Sequence, residues 1–215
     1  SAIFAGRRLN LKTTVVIANN NTIDGWHKAI TTFFPDSHVV KHNGLSSLTS
    51  NGFRYVIVNY EKFQLAKSKT LVEHLLATHP DFIVVDELQS VKNRAVETES
   101  RRRKAVNMFV QQATEQNPDL HVLGMSATPC VNNLQEIRGL LELITGKDLS
   151  HMSTRPTWAN ASAFHEMLVC SGLRYRPDYA KGVEPVIVPV DGAPWLKELL
   201  EIDSNPNNVL RQEQV

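Results

Sequence analysis

The chain has 215 residues, 42% hydrophobic and 21% charged, with a formal net charge of +1. That length supports one well-buried domain with a small appendage, and the near-zero charge excludes a globally basic nucleic-acid binder, so any basic footprint has to be local. Two cysteines, Cys130 and Cys170, exclude a disulfide scaffold, and no apolar run reaches the roughly 18 residues of a membrane helix, which together point to a cytoplasmic (nucleoid) or nuclear setting.

In chain order, residues 1–9 carry the rhythm of the tail of a helix, broken by Arg7-Arg8 in a way no signal peptide is. The β-branched run 13–18, TTVVIA, predicts a buried strand. Ile23, Trp26, Ile30 and Phe33 fall at helical spacing and predict an amphipathic helix over 22–33. SHVVK reads as a short strand, NGLSSLTSNG as a loop, and YVIVNY (55–60) as a second buried strand. A helix is expected over 62–78, with Phe63, Leu71, Leu75 and Leu76 inward and Pro80 beyond its end. FIVV is the next strand, 95–116 a long charged helix, and LHVLGM (120–125) a further strand. Leu134, Ile137, Leu140, Leu141 and Ile144 form one helical stripe, with Asn133 and Glu136 placed as a capping pair and Gly146 as the stop. After about residue 150 the chain turns polar and irregular. A short helix (160–171), the basic and aromatic LRYRPDYAKG and the proline-interrupted VEPVIVPVDG follow. Neither end carries a cap or a stop, so both read as boundaries cut from a longer chain.

Continuously apolar strands alternating with helices predict an α/β fold built on a parallel sheet covered on both faces. In such sheets ligands bind beyond the carboxyl ends of the strands. Two adjacent acids, Asp86 and Glu87, fall at one such end, and Ser126, Ala127 and Thr128 at another. A pair of acids after an apolar strand can merely mark its end. The same pair can also hold Mg²⁺ through one carboxylate and orient an attacking water with the other, as a nucleoside triphosphatase requires. A capped helix accounts for Pro129, Asn133 and Glu136, but it leaves Ser-Ala-Thr-Pro at the strand end without a purpose.

These stretches together resemble the superfamily-two helicase-like ATPases. VVDELQSVKN is similar to their motif II and MSATPCVNNLQEIRGLLELI to their motif III. The Asn132-Asn133-Leu134 spelling resembles the Swi–Snf branch, the double-stranded DNA translocases that include chromatin remodellers. TTVVIANNNTIDGWHKAI and YVIVNYEKF are similar to that branch's motifs Ia and Ib, and LRYRPDYAKGVEPVIVPVD to the stretch leaving its first RecA-like lobe. The matches run in the right order over nearly the whole chain. The resemblance implies a RecA-like first lobe over 1–150, with 151–215 leading to a second lobe of the same protein. It implies ATP and Mg²⁺ as cofactors, with Asp86 holding the metal through water and Glu87 activating the attacking water. It further implies coupling through Gln89, Ser126, Ala127 and Thr128, and duplex DNA along Asn20, Asn21, Asn59 and Tyr60.

Four departures from the family pattern qualify this. No Gly-x-x-x-x-Gly-Lys-Ser/Thr loop occurs in the chain. SAIFAGRRL resembles the helix that follows that loop, so the loop is expected just upstream of Ser1, and this chain alone is expected neither to bind ATP tightly nor to hydrolyse it. The second lobe with its arginine finger is likewise not in the chain. Leu88-Gln89 stands where the branch usually has Ala-His or Gly-His, and Asn19-Asn20-Asn21 where a proline is common. A different superfamily-two motor, such as a restriction-type translocase or an RNA helicase, and a catalytically inactive RecA-like scaffold that binds DNA or protein remain the alternatives.

Of the other features, RRRK (101–104) reads as a solvated helix face before it reads as a DNA contact. His38 and His42 lack a third ligand at zinc spacing. Trp26 is expected in the core rather than as a stacking platform, and Cys130 as a small buried thiol.

Overall fold

The computed structural model describes residues 2–41, 52–91, 100–128 and 133–174. Contacts divide the chain into two compact units, Ser1–Leu173 and Arg174–Val215. The first carries everything below. The loop at 43–51, the segment 92–99, Pro129 to Asn132 and the basic connector and proline-rich strand beyond Arg174 lie outside the described residues.

Five strands form one parallel sheet: β1 (Thr13–Ala18), β2 (His38–Lys41), β3 (Arg54–Asn59), β4 (Phe82–Val85) and β5 (His121–Gly124), in the order β2-β3-β1-β4-β5. All six residues of β1 are buried, as expected for the middle of a sheet with both faces covered. Its side chains divide between the two faces. Val15 and Ile17 join a core with α3 (Ser68–Leu76), α4 (Arg101–Gln116) and α5 (Leu134–Thr145). Val16 and Ala18 join a second core with α1 (Ala2–Arg8) and α2 (Ile23–Phe33). Each fully buried Val or Ile contributes about 1.5–3 kcal/mol relative to an exposed one, so this central strand anchors both layers. α1 lies so close to β4 that a Cβ on Gly6 would stand 3.0 Å from the Phe82 ring.

The helix caps follow the sequence. The Asn133 side chain accepts from the Glu136 N–H at 3.0 Å, and Gly146 ends α5 at φ 65° with its N–H on the Glu142 carbonyl. The compact unit runs past residue 150, where composition changes. α6 (Trp158–Ser171) buries Phe164 against Ile137, Leu141 and Leu149, a third apolar cluster built on the outer side of α5.

Three expectations are corrected. The helix expected over 62–78 divides into a 3-10 turn, Tyr60–Gln64, and α3, because the Asn59 side chain accepts from the Lys62 N–H and starts the turn early. Phe33, placed on the inward stripe of α2, is 59% exposed and stacks edge-on with Phe4 of α1. The RRRK run opens α4, but only Arg101 and Lys104 are solvated. Arg102 turns in, its guanidinium 5.4 Å from the centre of the Tyr60 ring and donating to the Ser90 carbonyl at 3.2 Å. Among the described residues no helix is long and apolar enough to cross a membrane.

Candidate active site

Because all four strand pairings are parallel, every strand delivers its carboxyl end to one edge of the sheet. β1 delivers Asn19, Asn20 and Asn21, β3 delivers Asn59 and Tyr60, β4 delivers Asp86 and Glu87, and β5 delivers Met125 and Ser126. The edge therefore gathers the sequence-predicted residues from four separate stretches of the chain.

Asp86 is the most firmly held of them. Its N–H donates to the Ile17 carbonyl at 2.9 Å, prolonging the β1–β4 ladder by one rung. Its carbonyl accepts from the Tyr60 hydroxyl at 2.6 Å, and its carboxylate Oδ2 accepts from the Trp26 indole N–H at 2.8 Å. Tyr60 is fully buried. Burial pushes its phenol well above the usual tyrosine value, helped by the charges of Asp86 and Glu87 and opposed by Arg102, so the hydroxyl stays a donor. A phosphate contact from this side chain, as the sequence suggested, does not fit its burial. Tyr60 instead fixes the backbone under the acid.

Glu87 takes φ 52°, a left-handed conformation that costs a side-chain-bearing residue about 1 kcal/mol or more. The turn takes its carboxylate out of the strand's alternation. Gln89, in the 3-10 turn Leu88–Val91, donates from Nε2 to Glu87 Oε2. The same amide accepts at Oε1 from the Ser126 hydroxyl at 2.6 Å, and Ser126 Oγ accepts from the Thr128 N–H at 3.0 Å. A carboxamide has one donor end and one acceptor end, so Gln89 joins the acid of β4 to the hydroxyl of β5 with a fixed polarity. Leu88 N–H, bonded to the Met125 carbonyl at 2.8 Å, holds the two strand ends in register. Ala127 and Thr128 are exposed beyond this junction.

Asn20 and Asn21 are exposed in a 3-10 turn, Asn20–Thr22. The Asn59 amide donates to Asn20 Oδ1 at 3.0 Å, so the ends of β1 and β3 form one continuous rim. Ser90 reaches Asn19 Oδ1 at 3.5 Å, linking that rim to the turn after the acids.

Sequence reasoning missed Trp26, Ser90 and Arg102. Trp26 does pack against the apolar layer of α1 and α2. A signal was available all the same, since a half-buried indole N–H needs an acceptor and Asp86 is the charged one nearby.

The donor set suits Mg²⁺ held mainly by water and phosphate. It is a hard carboxylate whose Oδ1 has no hydrogen-bond partner among the described residues, with a second carboxylate beside it. Among the described residues no group of three His, Cys, Asp or Glu side chains converges as a resident metal site would.

No curated protein sequence matches the chain. Among solved structures it is similar to the Sulfolobus solfataricus SWI2/SNF2 ATPase core in complex with dsDNA, with a TM-score of 0.53 at 14% identity. That match covers 84% of this chain, and the chain spans 37% of the matched one. At this identity the likeness speaks for the fold, a RecA-like α/β sheet. Sequence comparison speaks for the family: residues 6–171 match the SNF2-related domain, and the chain belongs to that family.

Proposed function

We propose that this chain is most of the first RecA-like lobe of an ATPase that couples hydrolysis to movement along double-stranded DNA. The reading is supported above all by one observation, the continuous bonding from the Glu87 carboxylate through Gln89 to Ser126 at the carboxyl edge of the sheet. A strand end needs no such connection to be stable, whereas a motor needs its hydrolytic acid joined to a neighbouring element. The printed description of the matched structure, an ATPase core bound to duplex DNA, adds support.

In this reading Asp86 holds Mg²⁺ through its free oxygen, and Glu87 orients and deprotonates the attacking water. The bound ion would neutralise charge on the phosphates. Gln89 holds the Glu87 carboxylate toward the cleft, and its bond to Ser126 reports that position to the segment after β5. The exposed amides of Asn20, braced by Asn59, and of Asn21 face DNA phosphates, which amide groups contact without sequence preference. A second RecA-like lobe of the same protein would complete the cleft. With no phosphate loop in its sequence, the chain by itself is expected to show no turnover.

The test is steady-state ATP hydrolysis by the full-length protein, with and without duplex DNA, beside Glu87→Gln. Stimulation by duplex DNA, and a loss of about a hundredfold or more in Glu87→Gln, support the motor. Activity that is absent, or indifferent to Glu87→Gln, favours a RecA-like scaffold that binds DNA or protein without hydrolysis. Stimulation by RNA instead of duplex DNA favours a different superfamily-two motor.

A further inference from the structure

We infer that Trp26 is a positioning residue for the Asp86 carboxylate, aiming its free oxygen at the divalent cation. The inference rests on the proposed metal role of Asp86 and extends it to a residue in a different element.

Asp86 has four polar atoms. Two belong to the backbone, and both are fixed, the N–H by Ile17 in β1 and the carbonyl by Tyr60 after β3. Those bonds set where the Cα lies, but they leave the carboxyl group free to rotate about its side-chain torsions. The indole N–H of Trp26 is its one side-chain restraint among the described residues, at 2.8 Å on Oδ2. Holding one oxygen turns the other, Oδ1, into the group presented to a ligand. A carboxylate with one oxygen bonded by a neighbour and the other on the metal is the usual arrangement around such ions, and the outer partner commonly accounts for 10–100-fold in affinity.

Tryptophan suits this task chemically. Its N–H donates and never accepts, and a bond to a charged acceptor is about twice as strong as a neutral one. The ring is fixed by packing with Ile30 and the other apolar residues of the α1–α2 layer, so the donor does not wander. No cation competes for the acid, since no Lys, Arg or His among the described residues lies within ion-pair distance of Asp86. Neutral restraint leaves the full negative charge available to the metal, which a salt bridge would not.

The experiment removes only the donor. Full-length protein carrying β-(3-benzothienyl)alanine at position 26 replaces the N–H with sulfur at nearly constant shape, with Trp26→Phe as a second variant. Mn²⁺ binding in the presence of a non-hydrolysable ATP analogue is followed by electron paramagnetic resonance, and the Mg²⁺ dependence of hydrolysis is recorded alongside. The expected result is a dissociation constant for Mn²⁺ raised about tenfold, with the half-saturating Mg²⁺ concentration raised in parallel and the maximal rate largely recovered at high Mg²⁺. A lost maximal rate with unchanged Mn²⁺ affinity would indicate a merely structural role and overturn the inference. Asp86→Asn is the control that separates the two layers. If it leaves Mn²⁺ affinity unchanged, the metal role of Asp86 falls and the inference with it. If it weakens Mn²⁺ while both Trp26 variants bind as the wild type does, the inference alone is overturned.

Discussion

β4 is bracketed by two aspartates that look alike in the sequence and are treated in opposite ways by the fold. At its amino end Asp81 turns one carboxylate oxygen, Oδ2, onto two backbone donors, Lys12 N–H at 3.0 Å and Thr13 N–H at 2.9 Å. At its carboxyl end Asp86 gives its backbone to the scaffold and one carboxylate oxygen to a side chain, keeping the other oxygen unbonded among the described residues. The first acid is consumed in holding β1 against β4. The second is held so that it remains usable. The same contrast divides the two edges of the sheet. On the amino side Arg7 lies 4.4 Å from the Phe34 ring and 3.8 Å from the Phe53 ring while pairing with Asp36. On the carboxyl side the acids meet only neutral donors among the described residues. Under the proposed function, a working carboxylate is therefore marked by its partners rather than by its place at a strand end.

The largest expected effect exchanges these roles. Asp86→Asn keeps the shape and should lower DNA-stimulated hydrolysis by about a hundredfold or more, since a metal contact is worth several kcal/mol in the transition state, with little change in chemical denaturation. Asp81→Ala should do the reverse. It strands two backbone donors and costs about 2 kcal/mol of stability, while turnover of the folded fraction stays near the wild-type value. An Asp81→Ala variant that lost hydrolysis without losing stability would erase the distinction.

Tyr60 gives a smaller effect with a pH signature. Removing its hydroxyl in Tyr60→Phe leaves the Asp86 carbonyl without that donor, at a cost of about 1–2 kcal/mol. The phenol is pushed up in the folded state. Its contribution is therefore complete below the ordinary phenol value, about 10, and is lost above it, where the unfolded chain releases the proton and the folded one keeps it. Wild type should lose stability on raising the pH through 10 and beyond more steeply than Tyr60→Phe, as urea unfolding across that range would show.

The fold was legible because its signal is collective. β-branched runs at 13–18 and 55–60 and FIVV at 82–85 can only be central parallel strands, and their carboxyl ends must share an edge. The acids, the Ser126 hydroxyl and the Asn133 cap were likewise local enough to read. What stayed hidden depends on direction rather than on residue type. Tyr60 counted as an edge residue from its position, yet its side chain points into the core. Trp26 counted as core from its spacing, yet one atom of it faces the site. Arg102 counted as surface charge from its neighbours, yet its guanidinium lies over a buried ring. Periodicity places a Cβ on a face and says nothing of where the far end of a long side chain comes to rest.

Gln89 bears on the same contrast through pH. The amide joining Glu87 to Ser126 carries no proton that comes or goes near neutrality. A histidine there, which the family resemblance makes the usual choice, would titrate near 6.5. Once protonated it could still donate to Glu87 but could no longer accept from Ser126. Gln89→His should therefore gain an acid-side fall of about fivefold in hydrolysis below that pH relative to the wild type, the worth of roughly one hydrogen bond. An unchanged profile would mean that the Gln89–Ser126 bond has no part in turnover.

The smallest effect concerns the backbone at the two ends of β4, where His79 takes φ 51° and Glu87 φ 52°. Both conformations disfavour a side chain by about 1 kcal/mol, for different reasons. His79 ends α3, its N–H on the Leu76 carbonyl at 2.9 Å, in the kind of position that glycine commonly fills at a helix terminus. Nothing in the bonding requires a histidine there, so His79→Gly should raise stability by up to about 1 kcal/mol and leave hydrolysis alone. Glu87→Gly should relieve a similar strain and abolish hydrolysis, because it removes the carboxylate that the proposed function gives to the attacking water. Paired thermal melts and rates on the two glycine variants would then show equal gains in stability beside opposite outcomes for activity. Equal activity in both would mean that the Glu87 carboxylate has no part in turnover.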